Sequence, residues 1–190
     1  MLITGPLLGT LQNELNLLDL RLFSSPQWGA NNENYRQNIR SFLQNKLQST
    51  EPIILDLEQP LTLFREQFIS ISHSPETGVV ALATQPLGID VESLTRITPK
   101  LVERISQPKE LLTSPLPQVL WSAKEAAFKA LVHFAQPQTM SQIEIGNWRN
   151  LDKNLFSYQV LNAADFSAPI GKGTVFCNNL TCLALFVFYS

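Results

Sequence analysis

Three runs of strand character sit close together in the middle of this chain, and the shortness of the links between them restricts the fold more than any other feature. In Phe68–His73, Phe68, Ser70 and Ser72 alternate with Ile69, Ile71 and His73, the period-two pattern of a strand. Val79–Thr84 and Leu87–Glu92 follow, joined only by the turn-like Ser74–Gly78 and the breaker Gln85–Pro86. Parallel neighbours need a crossover of about a dozen residues or more, so links this short require antiparallel strands, and a meander is expected.

Helical signals flank this block. Asn34–Gln48 places Tyr35, Ile39, Phe42, Leu43 and Leu47 on one apolar stripe, with Arg36 and Arg40 a turn apart on its flank. Upstream, Leu11, Leu15, Leu18 and Leu22 fall at helical spacing within Leu7–Phe23, a segment equally readable as a strand followed by a turn. Thr98 and Pro99 suit the N-cap and first position of a helix over Thr98–Ser106. Pro108–Thr113 adds a short turn, and the strongest helix runs over Gln118–Ala135. There Leu120, Ala123, Ala127, Leu131 and Phe134 share a face, with Glu125 and Lys129 pointing away from it. Strands return at Gln142–Trp148, Phe156–Leu161, Thr174–Phe176 and Thr181–Tyr189, and Gly171-Lys172-Gly173 reads as a hairpin turn. This order predicts an α+β fold in which each half offers one main helix and a few strands.

With 190 residues, 44% of them hydrophobic, the chain can bury a real core in one domain or two small lobes. A net charge of −2 and the lack of any Lys/Arg run argue against a nucleic-acid surface, so an anionic ligand must be held by a few placed cations. No apolar run approaches the roughly 20 residues of a membrane span, and no basic segment precedes an apolar one at the start; a cytoplasmic protein is expected. Cys177 and Cys182 flank Asn178-Asn179 and face each other across a hairpin; a reduced pair is expected there, and no zinc site.

The chemistry concentrates in three short motifs. In Gly88-Ile89-Asp90-Val91-Glu92, strand geometry projects Asp90 and Glu92 to one side and Ile89 and Val91 to the core. Paired carboxylates repel unless a proton or cation lies between them, and Mg²⁺ commonly binds through one or two such groups plus substrate phosphates. In Trp121-Ser122-Ala123-Lys124-Glu125-Ala126-Ala127-Phe128-Lys129, Glu125 and Lys129 stand one helical turn apart, able to present a third carboxylate and an ammonium to that pair. In Ser70-Ile71-Ser72-His73-Ser74, Ser72 and His73 face opposite sides of a strand and cannot form a nucleophile–base pair, which leaves His73 as a turn cap or a phosphate ligand.

In this order and at these separations, the three motifs resemble the 4′-phosphopantetheinyl transferase superfamily, in particular its long single-chain branch that activates nonribosomal peptide, polyketide and siderophore synthetases. The resemblance is close over Phe68–Leu131 and weak on the flanks. It implies two similar α+β lobes, each a small antiparallel sheet packed with a long helix, divided as residues 1–86 and 87–190, with coenzyme A between them. It implies that Asp90, Glu92 and Glu125 ligate Mg²⁺ on the pyrophosphate, and that Lys129 contacts the phosphates and assists the leaving group. Lys124 matches a lysine implicated in cofactor contacts, Ser72 and His73 would hold the adenosine end, and Arg36 and Arg40 are the local candidates for the 3′-phosphate. The reaction implied is attack of a carrier-protein serine on the β-phosphorus of coenzyme A with release of adenosine 3′,5′-bisphosphate. Glu125 would accept the serine proton, through a water molecule. The partner would be an apo acyl, polyketide or peptidyl carrier protein received near Arg96–Arg104, and the enzyme a monomer.

The chain departs from the family pattern in lacking Gly-Lys-Pro ahead of the Ser-His strand; Glu51-Pro52 and Glu58-Gln59-Pro60 stand nearby instead. That departure motivates an alternative, a non-catalytic module that binds coenzyme A or a carrier protein. A third reading is an unrelated Mg²⁺-dependent phosphohydrolase using the same carboxylates.

Overall fold

A computed structural model describes residues 2–3, 5–50, 62–134, 136–163 and 171–188. Two antiparallel sheets divide the strands. The first joins β1 (Leu2–Ile3), β2 (Arg21–Ser25), β3 (Leu63–Phe64), β4 (Gln67–His73) and β5 (Gly78–Ala83) in the order β1-β2-β5-β4-β3. The second joins β6 (Leu87–Ser93), β7 (Ile143–Asp152), β8 (Leu155–Ala163), β9 (Gly171–Cys177) and β10 (Thr181–Phe188) in the order β6-β10-β9-β8-β7. The helices are α1 (Pro6–Leu15), α2 (Tyr35–Lys46), α3 (Pro99–Glu103), α4 (Pro108–Thr113) and α5 (Pro117–Ala130). The fold is the mixed α+β architecture that the element order predicts. The Glu51-Pro52 and Glu58-Gln59-Pro60 segments lie outside the described residues.

Alternation along the strands builds the layers. Val80, Leu82, Ile69 and Phe23 bury one face of the first sheet against Ile39 and Leu43 of α2. The opposite face, with Leu22, Val79, Ala81 and Ala83, shares a core with Leu11 and Leu15 of α1 and with Ile89, Val91, Leu185 and Val187 of the second sheet. The outer face of the second sheet, through Tyr158, Val160, Val175, Ala184 and Phe186, packs on α5. Layer order is therefore α2, first sheet, second sheet, α5, with α1 wedged into the middle core.

Two expectations about strands are corrected. Leu87–Glu92 does not continue the meander. β5 already bonds β2 along one edge and β4 along the other, so neither edge is open to a further strand. After Pro86 the chain crosses to the second sheet and pairs with β10, Asp90 opposite Ala184 and Glu92 opposite Cys182. Gly171-Lys172-Gly173 opens β9 instead of forming a turn. A Cβ on Gly173 would fall inside the Tyr158 ring, so glycine there makes room for an aromatic side chain and does not bend the chain.

Cys177 and Cys182, directly opposed in the β9–β10 ladder with Cα atoms 4.2 Å apart, form a disulfide, where a reduced pair was expected. No helix among the described residues is long and apolar enough to cross a membrane.

Candidate active site

The site begins at a strand edge. β10 covers one side of β6; the other edge carries the N–H groups of Ile89 and Val91 and the Ile89 carbonyl. Buried backbone groups of this kind must find partners. Ser70 and Ser72, two apart on the inner face of β4, meet the alternate N–H groups of β6. Ser70 Oγ accepts from Ile89 N at 2.9 Å and Ser72 Oγ from Val91 N at 3.2 Å. Lys129 Nζ donates to the Ile89 carbonyl at 3.2 Å. The Ser-Ile-Ser-His-Ser pattern thus stitches the two sheets together side chain to backbone.

On β6, Gly88, Asp90 and Glu92 share the face turned toward α5. A Cβ on Gly88 would strike the Ala126 carbonyl oxygen and lie 2.7 Å from Ala130 N, so only glycine lets the helix backbone come this close. Small residues answer it on the helix: Ala123, Ala126, Ala127 and Ala130 are all fully buried. This close approach sets Glu125 and Lys129 beside Asp90.

Lys129 Nζ lies 2.9 Å from Asp90 Oδ1 and 2.9 Å from Ser72 Oγ, and Ser72 Oγ donates to Asp90 Oδ1 at 3.0 Å. The Ser72 hydroxyl is saturated by these contacts: its proton goes to Asp90, and it accepts from Val91 N and Lys129. These contacts tie the hydroxyl to Asp90, Lys129 and the β6 backbone, where a cofactor contact is expected from the sequence. Ser72→Ala leaves the Val91 N–H and one Asp90 contact unpaired, and is expected to cost about 1–3 kcal/mol. The shift of the urea-unfolding midpoint measures it; an unchanged midpoint would mean the seam is not closed by this hydroxyl.

The acids are electrostatically crowded. Burial pushes the Glu125 carboxyl up, Asp90 pushes it further, and Lys129 opposes. Burial and then Asp90 raise the Glu92 carboxyl, opposed by Arg96, whose Nη1 lies 3.3 Å from Glu92 Oε2. Asp90 Oδ2 is buried and meets no hydrogen-bond donor among the described residues. Three carboxylates of overlapping field, one with an orphaned buried oxygen, are a donor set that suits a hard divalent cation. Their oxygens are nevertheless apart: among the described residues no three His, Cys, Asp or Glu side chains are grouped closely enough to hold a metal ion. Lys129 and Arg96, cations of the chain itself, occupy Asp90 and Glu92.

His73 ends β4 on the side of α2, its ring edge-on to Tyr35 at 4.8 Å. Burial lowers its pKa first, followed by the positive charges of Lys129, Arg36 and Arg96. Three cations thus act on the imidazole, each opposing its protonation. Arg36 is exposed on α2, and Arg40, half-buried a turn further on, is not among the charges that act on His73.

Lys124 lies elsewhere. Its ammonium is fully buried, 2.8 and 2.9 Å from the two carboxylate oxygens of Glu110, and it also donates to the Ile143 carbonyl. The expectation that it contacts a cofactor is corrected: a side chain with no exposed surface, its ammonium held by Glu110 and the Ile143 carbonyl, has nothing to offer a ligand. The buried arc of α5 is wider than one apolar face because α4 and β7 cover its second side. Sequence reasoning missed Ser70, Arg96 and Glu110. Arg96 carried a signal, since it follows Glu92 by four residues. Ser70 carried one too, in the alternation it shares with Ser72.

Residues 86–170 match the family model of the 4′-phosphopantetheinyl transferase superfamily. The matched segment runs from the start of β6 through α5 and β8, and so contains Asp90, Glu92, Glu125 and Lys129 but not Ser72, His73 or Arg36. No curated protein matches the chain.

Proposed function

We propose that this protein is a Mg²⁺-dependent transferase, moving the 4′-phosphopantetheine arm of coenzyme A to a serine of an apo carrier protein and releasing adenosine 3′,5′-bisphosphate. The convergence of Asp90 and Glu92 on β6 with Glu125 and Lys129 on α5, inside the segment that matches the superfamily, carries the proposal. The long single-chain branch is the reading favoured by the Ser-Ile-Ser-His-Ser and Ser-Ala-Lys-Glu wording.

Asp90, Glu92 and Glu125 would hold the Mg²⁺, which when bound supplies charge neutralisation and polarisation of the pyrophosphate. Lys129, already anchored to Ser72 Oγ and the Ile89 carbonyl, is placed to stay at the seam while its charge turns from Asp90 to phosphate oxygens. Arg96, released from Glu92, joins Arg36 and His73 in holding the phosphates of the adenosine end. Glu125, raised by burial, accepts the serine proton through a water molecule. Positioning and charge placement account for the remainder of the rate, since the serine oxygen needs only alignment with the phosphorus. Lys100 and Arg104 stand exposed on and just after α3, where an acidic carrier would be received.

Mass spectrometry of apo acyl, polyketide and peptidyl carrier proteins incubated with the protein, coenzyme A and Mg²⁺ tests the proposal. The expected result is a gain of one phosphopantetheine on the carrier serine, abolished by EDTA. No gain on any carrier, with coenzyme A still bound, would replace the transferase by a binding module. Release of adenosine bisphosphate without a carrier would replace it by a phosphohydrolase.

A further inference from the structure

The transferase reading leaves unexplained why α5 carries a lysine immediately before Glu125 and buries it completely. Lys124 and Glu110 are exposed by 0% and 1%, the most deeply buried pair of opposite charges among the described residues. Both are fully satisfied. Glu110 Oε2 accepts from Lys124 and, at 2.7 Å, from Gln107 N at the start of α4. Glu110 Oε1 lies 2.8 Å from Lys124 Nζ and accepts, at 2.8 Å, from Ile145 N of β7. Lys124 Nζ also donates to the Ile143 carbonyl, again of β7. One ion pair therefore ties α4, α5 and β7 together at a single point.

A pair of this kind is a poor device for stability, because two charges give up hydration that an apolar pair of the same volume would never need. What it has, and an apolar pair lacks, is direction. Each contact fixes a distance and an angle, and together they fix how α5 is rotated about its axis and how far it has slid along it. The apolar contacts of α5 next to the site do this less well, since Ala123, Ala126, Ala127 and Ala130 are short side chains that offer little to interdigitate. Successive residues on a helix are separated by about 100°, a consequence of 3.6 residues per turn. Drawing Lys124 toward β7 turns Glu125 toward Asp90, and Lys129 follows one turn on. The opposite side of the helix is fixed at Gly88, so α5 is held by a close backbone contact on one side and a directed ion pair on the other.

We infer that Glu110 and Lys124 are positioning residues: they set the rotation of α5 that carries Glu125 and Lys129 to the strand carboxylates, without touching coenzyme A or the reacting atoms. The inference rests on the proposed transferase reading. Lys124→Met alone leaves the Glu110 charge buried and is expected not to fold. The informative variant is the double replacement Lys124→Met with Glu110→Gln, which removes both charges and keeps both shapes. Three quantities are to be compared with the unsubstituted protein: kcat, KM for coenzyme A, and the Kd for Mn²⁺, measured by electron paramagnetic resonance.

The double variant is expected to unfold cooperatively, with kcat lowered by roughly 10- to 100-fold as misplaced groups would require. KM for coenzyme A should stay within about threefold, because Arg36, His73 and Arg96, proposed to hold the adenosine end, lie outside α5, whereas Mn²⁺ should bind several-fold more weakly as Glu125 turns away. If the double variant does not fold, Glu110→Asp decides the matter. It keeps both charges but draws the carboxylate back by one methylene, and the same split between kcat and KM is expected. A folded variant with kcat and Mn²⁺ affinity within twofold of the unsubstituted protein would overturn the positioning role and leave the pair as packing alone. If the unsubstituted protein shows neither Mn²⁺ binding nor transfer, the transferase reading itself falls, and the positioning role with it.

Discussion

Gly88→Ala is expected to be among the most damaging single-methyl additions to this chain. The new Cβ would overlap the Ala126 carbonyl oxygen and lie 2.7 Å from Ala130 N and 2.9 Å from the Ala126 carbonyl carbon. These are backbone atoms in the middle of α5, unable to rotate aside as a side chain would. Relief requires the whole helix to move outward, away from Tyr158, whose hydroxyl hydrogen-bonds the Ala123 carbonyl, and away from the core it shares with Phe186 and Val160. The expected cost is about 3 kcal/mol, the upper end for overpacking a tight core. Helix displacement would also draw Lys129 from Asp90, so a folded remnant should transfer at least about 100-fold more slowly. Gly146→Ala is the control. There the added Cβ meets only the end of the Leu161 side chain, which can rotate, so its cost should remain below about 1 kcal/mol. Urea unfolding of both variants checks the contrast. Equal midpoints would mean that α5 does not sit on β6 in the way described.

Much of this arrangement was legible in the sequence, and what was not failed for identifiable reasons. The alternation in Phe68–His73 and Leu87–Glu92 fixed which side chains share a face, because period two is a local property of a strand. Pro99 marked a helix start because its missing N–H group is tolerated in the first turn, whereas the helix placed from Gln118 begins one residue earlier, at Pro117. Which strand pairs with which is a different kind of information. β6 follows β5 after three residues, yet its hydrogen bonds go to β10 near the other end of the chain. Nothing local reveals that both edges of β5 are already taken. The Gly173 misreading has the same origin, since a glycine that makes room for Tyr158 looks in sequence like one that makes a turn. Among the candidate site residues, Asp90, Glu125 and Lys129 are brought together by elements whose faces could be deduced. Lys124 was misplaced because its partner Glu110 lies on another helix, and a lysine beside a site acid carries no mark of being buried. The Ser72 hydroxyl was assigned outward for a related reason. Its saturation depends on a strand edge that belongs to the other sheet.

Asp90→Asn separates charge from shape at the centre of the site. Asparagine keeps the volume and an oxygen able to accept from Lys129 and Ser72, so the seam should hold. What disappears is the negative charge that Lys129 now faces at 2.9 Å and that the proposed metal would require. Transfer is expected to fall about 1,000-fold, the scale of losing several kcal/mol of metal-borne charge stabilisation at about 1.4 kcal/mol per tenfold. A second readout is independent of turnover. In the metal-free protein the Glu92 and Glu125 carboxyls lie above their unfolded values, in each case chiefly through burial and in part through Asp90. A group raised in this way binds more protons folded than unfolded. The contribution of these two groups to stability is therefore most favourable below the unfolded carboxylate range, near pH 4.5, and declines as pH rises from there through the elevated folded values. Removing the Asp90 charge lowers both carboxyls toward their ordinary value, so the decline should be shallower in the Asn variant. Full transfer activity would refute the role of Asp90 as a metal ligand, and an unaltered pH slope would refute the electrostatic crowding. Together the two results separate a carboxylate that binds a cation from one that merely neutralises Lys129. Only the former predicts that Mg²⁺ raises the stability of the unsubstituted protein at neutral pH more than that of the variant, because a cation stabilises the fold to the extent that it binds the folded state, and the variant has lost a ligand.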